Sequence, residues 1–193
     1  MNDATRVPQG TMSPSYVEAL RRRIGWICQI VRFASMLYAG WVLFLIAQFW
    51  LDGDRVRRAH SYLTKMQLTE PQAWQRAIGF SLQFVDWLCV VAAIYAVWRL
   101  MGTYLEGRIF TPEAADWLRR VGLFGLGAMA LDIALRPVVT AISSLHMPEG
   151  MRFVAIHFQP NDLLNTLFLL AFIALAHIFK SAAELADDHA QII

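Results

Sequence analysis

The chain has 193 residues, 57% of them hydrophobic and 17% charged, with a formal net charge of +2. Soluble domains carry about a quarter charged residues, and so small a net charge gives no footing for direct nucleic-acid binding. The apolar residues are gathered into blocks, and about 20 of them suffice to cross roughly 30 Å of hydrocarbon as helix. The expected fold is an all-α membrane protein with four transmembrane helices, at about residues 26–50, 78–101, 119–143 and 161–180.

Residues 1–23 form a polar leader, too long, like the apolar run after it, for a cleaved signal; residues 24–193 are the four-span domain. Ser13 suits a helix N-cap, Pro14 the first helical position and Glu18 an early turn. Tyr16, Ala19 and Leu20 share one face, which lays this segment along the membrane surface with Arg21, Arg22 and Arg23 among headgroups. Arg32 follows about two turns later and can snorkel back toward that surface. Cys28 and Cys89 lie in different spans and read as buried thiols without a disulfide partner.

The loop after the first span, about 51–77, contains "HSYLTKMQL", which reads as a short strand. The loop before the fourth contains "GMRFVAIHFQPND", where Phe153, Ala155 and His157 alternate with Arg152, Val154, Ile156 and Phe158. Pairing of the two would give a small β element on the outer side. His60, His146 and His157 share that side but lack short ligand spacing, so no metal and no cofactor is expected.

An even number of spans puts both termini on one side. Nine lysines and arginines flank the spans there, against six on the other side, which favours cytoplasmic termini. Trp50 and Trp74 fall at one interface, and Trp26, Trp98 and Trp117 at the other.

Within the spans a polar layer stands out. Asp132 and Arg136 are four residues apart in the third span, roughly 15 and 10 Å from its outer end, and Asp86 lies roughly 12 Å down the second. Gln83 and Asn165 fall at similar depth. A charge facing lipid at mid-depth costs about 2.5–3.5 kcal/mol, so these groups are expected to face inward. One reading is a set of structural ties. The other is a polar pocket in which two carboxylates and one guanidinium leave a surplus negative charge for a proton or cation. Pro137 removes a helix hydrogen bond and predicts a bend, while Gly122, Gly125 and Gly127 allow close helix approach. No nucleophile–base set, phosphate loop or metal-protease motif is present, which argues against an enzyme.

Between the second and third spans lies "YLEGRIFTPEAADWLRRVG". Gly107 permits a turn, Thr111 caps, Pro112 suits the first helical position, and Glu113 and Asp116 favour the positive helix end. Arg108, Arg119 and Arg120 complete a polar elbow that serves either as a connector or as a docking face for a cytosolic partner.

Gly107, Ile109, Phe110 and Thr111, then Asn161, Asp162 and Leu163, then Phe179, Ala182, Glu184 and Leu185 follow a pattern. It resembles the bacterial membrane proteins catalogued as domain of unknown function 2975, from about Arg22 onward. The tail differs, with Asp187, Asp188 and His189 in place of the usual glutamates and asparagine. The resemblance implies four helices, the bacterial inner membrane and a cytosolic helix-turn-helix regulator as partner. The resulting expectation is a non-enzymatic membrane sensor that couples an outer signal to that regulator. The alternative is a small transporter or channel, working as a homodimer with Asp86 and Asp132 on its path.

Overall fold

A computed structural model describes residues 14–64, 69–109, 111–148 and 152–191. It contains five helices: α1 (Pro14–Leu51), α2 (Gly53–Thr64), α3 (Ala73–Leu105), α4 (Pro112–Ser144) and α5 (Pro160–Gln191). Four of them, α1, α3, α4 and α5, are long and apolar enough to cross a membrane. They match the four expected blocks, extended by several residues at the ends. Residues on the side of the elbow and the termini are called terminal-side below, and those near α2 loop-side.

The spans pack in chain order, α1 on α3, α3 on α4 and α4 on α5. Contact between α1 and α5 is marginal at most, so the spans form an open row and not a closed bundle. The two outermost helices consequently carry most of the exposed large apolar side chains, among them Phe33, Leu37 and Trp41 on α1 and Leu164, Phe168 and Ile178 on α5. In water such faces would be aggregation sites; in a bilayer they are the lipid-facing surface.

Small residues set the close crossings. A Cβ at Gly122 would lie 2.5 Å from Ile173 Cγ1, and one at Gly125 would overlap the Leu169 side chain, so both glycines let α4 approach α5. Gly127 faces open space and has no such role. On the α1–α3 seam a Cβ at Gly79 would fall inside the Trp50 ring. Trp50 is buried and donates its indole N–H to Gln83 Oε1 at 2.6 Å. It is thus an interhelical wedge, and not the interfacial anchor its position in the sequence predicts. Nearer the terminal side, Leu100, Ala114, Leu118 and Ala176 join α3, α4 and α5 in one core. At the loop side the buried Gln75 donates to Ile142 O at 2.6 Å, tying α3 to α4, while its Oε1 accepts from Gln72 N.

Neither expected strand forms among the described residues. His60 to Thr64 of "HSYLTKMQL" are the last turns of α2, with residues 65–68 outside the described set. Residues Val56 and His60, one turn apart, bury one face of α2 while Asp54 and Arg57 pair on the exposed one. Amphipathic 3.6-residue periodicity therefore overrides the local β preference. His60 Nδ1 lies 2.8 Å from Val56 O, and burial lowers the imidazole pKa below its ordinary value, the bond to Val56 opposing that shift.

Candidate functional site: a polar zipper ending at Arg136

The extended segment 152–159 is held by a helix, not by a second strand. Ser144 Oγ donates to Phe153 O at 3.0 Å and accepts from Phe153 N at 3.3 Å. Thr140 Oγ1 accepts from Ala155 N at 3.0 Å, and Arg136 Nη1 donates to His157 O at 3.3 Å. Every second residue of the segment thus meets every fourth residue of α4. The repeats are commensurate: two extended residues advance about 6.6 Å and four helical residues about 6 Å. The alternation read in Phe153, Ala155 and His157 is real, but its partner is a ladder of polar side chains on one helix face.

Arg136 closes this zipper. Its guanidinium meets Asp132 Oδ2 at 2.6 Å on its own helix, and Asp162 Oδ2 and Oδ1 at 2.6 and 2.9 Å on α5. The Asp162 pair is the deeper one: its side chain is 7% exposed and that of Arg136 14%, whereas Asp132 is 44% exposed. Asp162 Oδ2 also accepts from Gln159 N at 2.8 Å, which caps the start of α5. One carboxylate therefore joins the end of the extended segment, the first turn of α5 and the third span. Bidentate Arg–carboxylate geometry of this kind fixes orientation as well as energy.

The expected polar layer is only partly assembled. Asp132 and Arg136 come together, and Asp86 on α3 is near enough to feel both charges. Asp86 makes no ion pair with Arg136, and its Oδ1 is buried without a hydrogen-bond partner. Gln83 binds Trp50 instead, and Asn165 is exposed on α5. Asp162 was missed in this role because its partner is 26 residues away in sequence, and an i to i+4 search finds only Asp132. α4 continues as one helix through Pro137, and Thr140 Oγ1 donates to the carbonyls of Arg136 and Pro137 at 3.1 and 3.0 Å.

At the terminal end the elbow follows its sequence. Gly107 takes φ of 80°, where only glycine is unstrained, and Arg108 N bonds Thr103 O to close α3. Thr111 Oγ1 accepts from Ala114 N at 3.3 Å, and Pro112 is the first residue of α4. Phe110 lies outside the described residues. Arg108 pairs with both Glu106 and Glu113. Hydrogen bonding to Glu106, followed by the charges of Glu106 and Glu113, raises its pKa above the ordinary value.

The elbow residues do not share one face. Arg108 and Glu113 line a cavity toward α1 and α3, Asp116 and Arg119 line another against His177, Lys180 and Glu184 of α5, and Arg120 lies 4.4 Å from the Trp117 ring. The charged residues of the elbow are thus divided among two cavities and the Trp117 ring.

Four membrane-competent helices and the charged junction inside them define a multi-pass helical membrane protein. The chain belongs to the family described as Protein of unknown function (DUF2975), whose profile matches residues 62–193. That match takes in α3, α4 and α5, with Arg136, Asp162 and the elbow, and leaves out the first span. No curated protein and no solved structure matches the chain.

Proposed function

We propose that the protein is a non-enzymatic sensor of the bacterial inner membrane, with cytoplasmic termini, in which the Arg136 junction reports an outer-side condition to a cytosolic regulator. The observation that carries this reading is the continuity of α4. One helix bears the Arg136–Asp162 pair near its loop-side end and Glu113 and Asp116 at the elbow. Residues 113 and 136 are about 35 Å apart along the axis, and a rigid helix transmits rotation or translation over that length. The outer signal must favour one packing of α4 over another, since a ligand with equal affinity for both shifts nothing. The resemblance to this family supports a DNA-binding protein of the helix-turn-helix class as the partner. A photo-crosslinker at position 116, exposed at the elbow, tests this in intact cells. Capture of one soluble DNA-binding protein supports the reading, and recovery of nothing or of a second copy alone overturns it.

Asp86 favours a second reading. Its unbonded, buried oxygen lies within electrostatic reach of Asp132. Three carboxylates around one guanidinium give a cation or proton a place to reside during transport by a dimer. Asp86→Asn then abolishes flux in vesicles; unchanged flux removes this alternative.

A further inference from the structure

The cavity that Arg108 and Glu113 of the elbow border toward α1 and α3 holds two further arginines that neither the zipper nor the elbow's ion pairs engage. Arg32 lies seven residues after Gly25, about 10 Å along α1, where an unpaired charge is costly. Its guanidinium stacks on the Trp98 ring, 3.7 Å from the centroid. Stacking occupies the planar face and leaves the N–H edge free. Among the described residues that edge meets no carboxylate, and the buried Nε has no hydrogen-bond partner. Arg99, one helical step from Trp98, is exposed, has its guanidinium 5.1 Å from the Trp117 ring centroid, and likewise has no carboxylate partner among the described residues. Arg32 and Arg99 line one cavity of about 290 Å³, floored by Gly102 and Thr103. Glu106 and Glu113 line the same cavity, and both are paired with Arg108.

We propose that this cavity is a phospholipid site, in which the N–H edges of Arg32 and Arg99 hold the headgroup phosphate diester. Two guanidinium groups present the planar donor geometry that phosphate oxygens accept. The cavity lies toward the terminal-side end of the spans, and basic pockets between spans take anionic lipid headgroups. The exposed apolar side chains of α1, from Trp26 and Ile27 onward, offer lipid-facing surface on the same helix for an acyl chain. The third arginine of the cavity, Arg108, is already neutralised and marks the aqueous rim.

Gly102 provides a clean test, because a Cβ there meets nothing within 4 Å. Gly102→Leu places an apolar side chain in the cavity with no clash at its Cβ and no change of charge. Native mass spectrometry of the purified full chain in detergent, titrated with dioleoyl phosphatidylglycerol, reads the bound lipid directly. One retained lipid per chain is expected, with about tenfold weaker retention in Arg99→Gln, as befits a lost charged hydrogen bond, and none in Gly102→Leu. Arg119→Gln, on the far side of α4, leaves retention unchanged. Because Arg99 is exposed, Arg99→Gln is expected to fold, which keeps the comparison interpretable even if Arg32→Gln does not. Dioleoylglycerol, which lacks the phosphate, should not be retained. Equal retention in wild type, Arg99→Gln and Gly102→Leu overturns the proposal. Displacement of the lipid by equimolar glycerol phosphate also overturns it, by assigning the cavity to a soluble phosphate ester.

Discussion

Replacing Arg136 with Met tests whether the zipper's closing pair holds the loop side together. The substitution keeps the length of the aliphatic stem and removes the guanidinium. Asp162, with a side chain only 7% exposed, then retains a single bond, from Gln159 N. Breaking a buried ion pair from one side costs about 3–5 kcal/mol, most of it the uncompensated charge left behind. The loss of Asp132, 44% exposed, adds about 1 kcal/mol or less. Arg136→Met combined with Asp162→Asn removes both charges while the asparagine oxygen still accepts from Gln159 N. The double variant should therefore sit about 1–2 kcal/mol below wild type, from the lost bond to His157 O and the lost contact with the exposed Asp132. Reversible unfolding of the purified protein in mixed micelles measures all four corners of the cycle. A single-variant cost below about 1 kcal/mol, or a double variant as unstable as the sum of the singles, would refute the argument.

Three further outcomes follow from the same geometry. Thr140→Val with Ser144→Ala removes the side-chain partners of Phe153 and Ala155, so hydrogen exchange at these two amides should speed by at least tenfold while α3 amides are unchanged. Gly122→Val should weaken the α4–α5 seam by about 1–3 kcal/mol through overpacking against Ile173 and the Leu169 carbonyl, whereas Gly127→Ala should be neutral or slightly stabilising; micelle unfolding ranks them. His60 has a folded pKa below the unfolded value of 6.5, so the unfolded chain binds the proton more readily, and stability is full above that pH and falls as pH drops below it. Thermal unfolding between pH 7.5 and 5.5 should show this decline, and His60→Gln should flatten it.

The spans were legible because twenty apolar residues in a row admit few other physical solutions. The elbow was legible because turn and cap are local: Gly107, Thr111 and Pro112 each act within four residues of themselves. The Asp132–Arg136 contact was readable for the same reason, being one helical turn. What escaped was non-local. Asp162 pairs with Arg136 only because α5 lies beside α4, and Gln83 serves Trp50 because α1 lies beside α3. α2 was open to detection, since Val56 and His60 have helical spacing, but the β-prone residues at its end obscured it. Phe153 to His157 alternate as a strand does, and nothing in that pattern says that the acceptors and donors opposite it belong to a helix. Arg136, Thr140 and Ser144, each four residues from the next, carry the complementary signal.

Sensing through this fold requires α4 to carry a change at Arg136 to the elbow. Its most direct test compares crosslinking yield from position 116 in wild type and in Arg136→Met, at matched amounts of protein in the membrane. If α4 transmits the change, the same soluble DNA-binding protein is captured in both, with a yield altered severalfold by a substitution about 30 Å away. Identical yields, with the junction broken, would contradict it and leave Arg136 as the lock of a structural zipper.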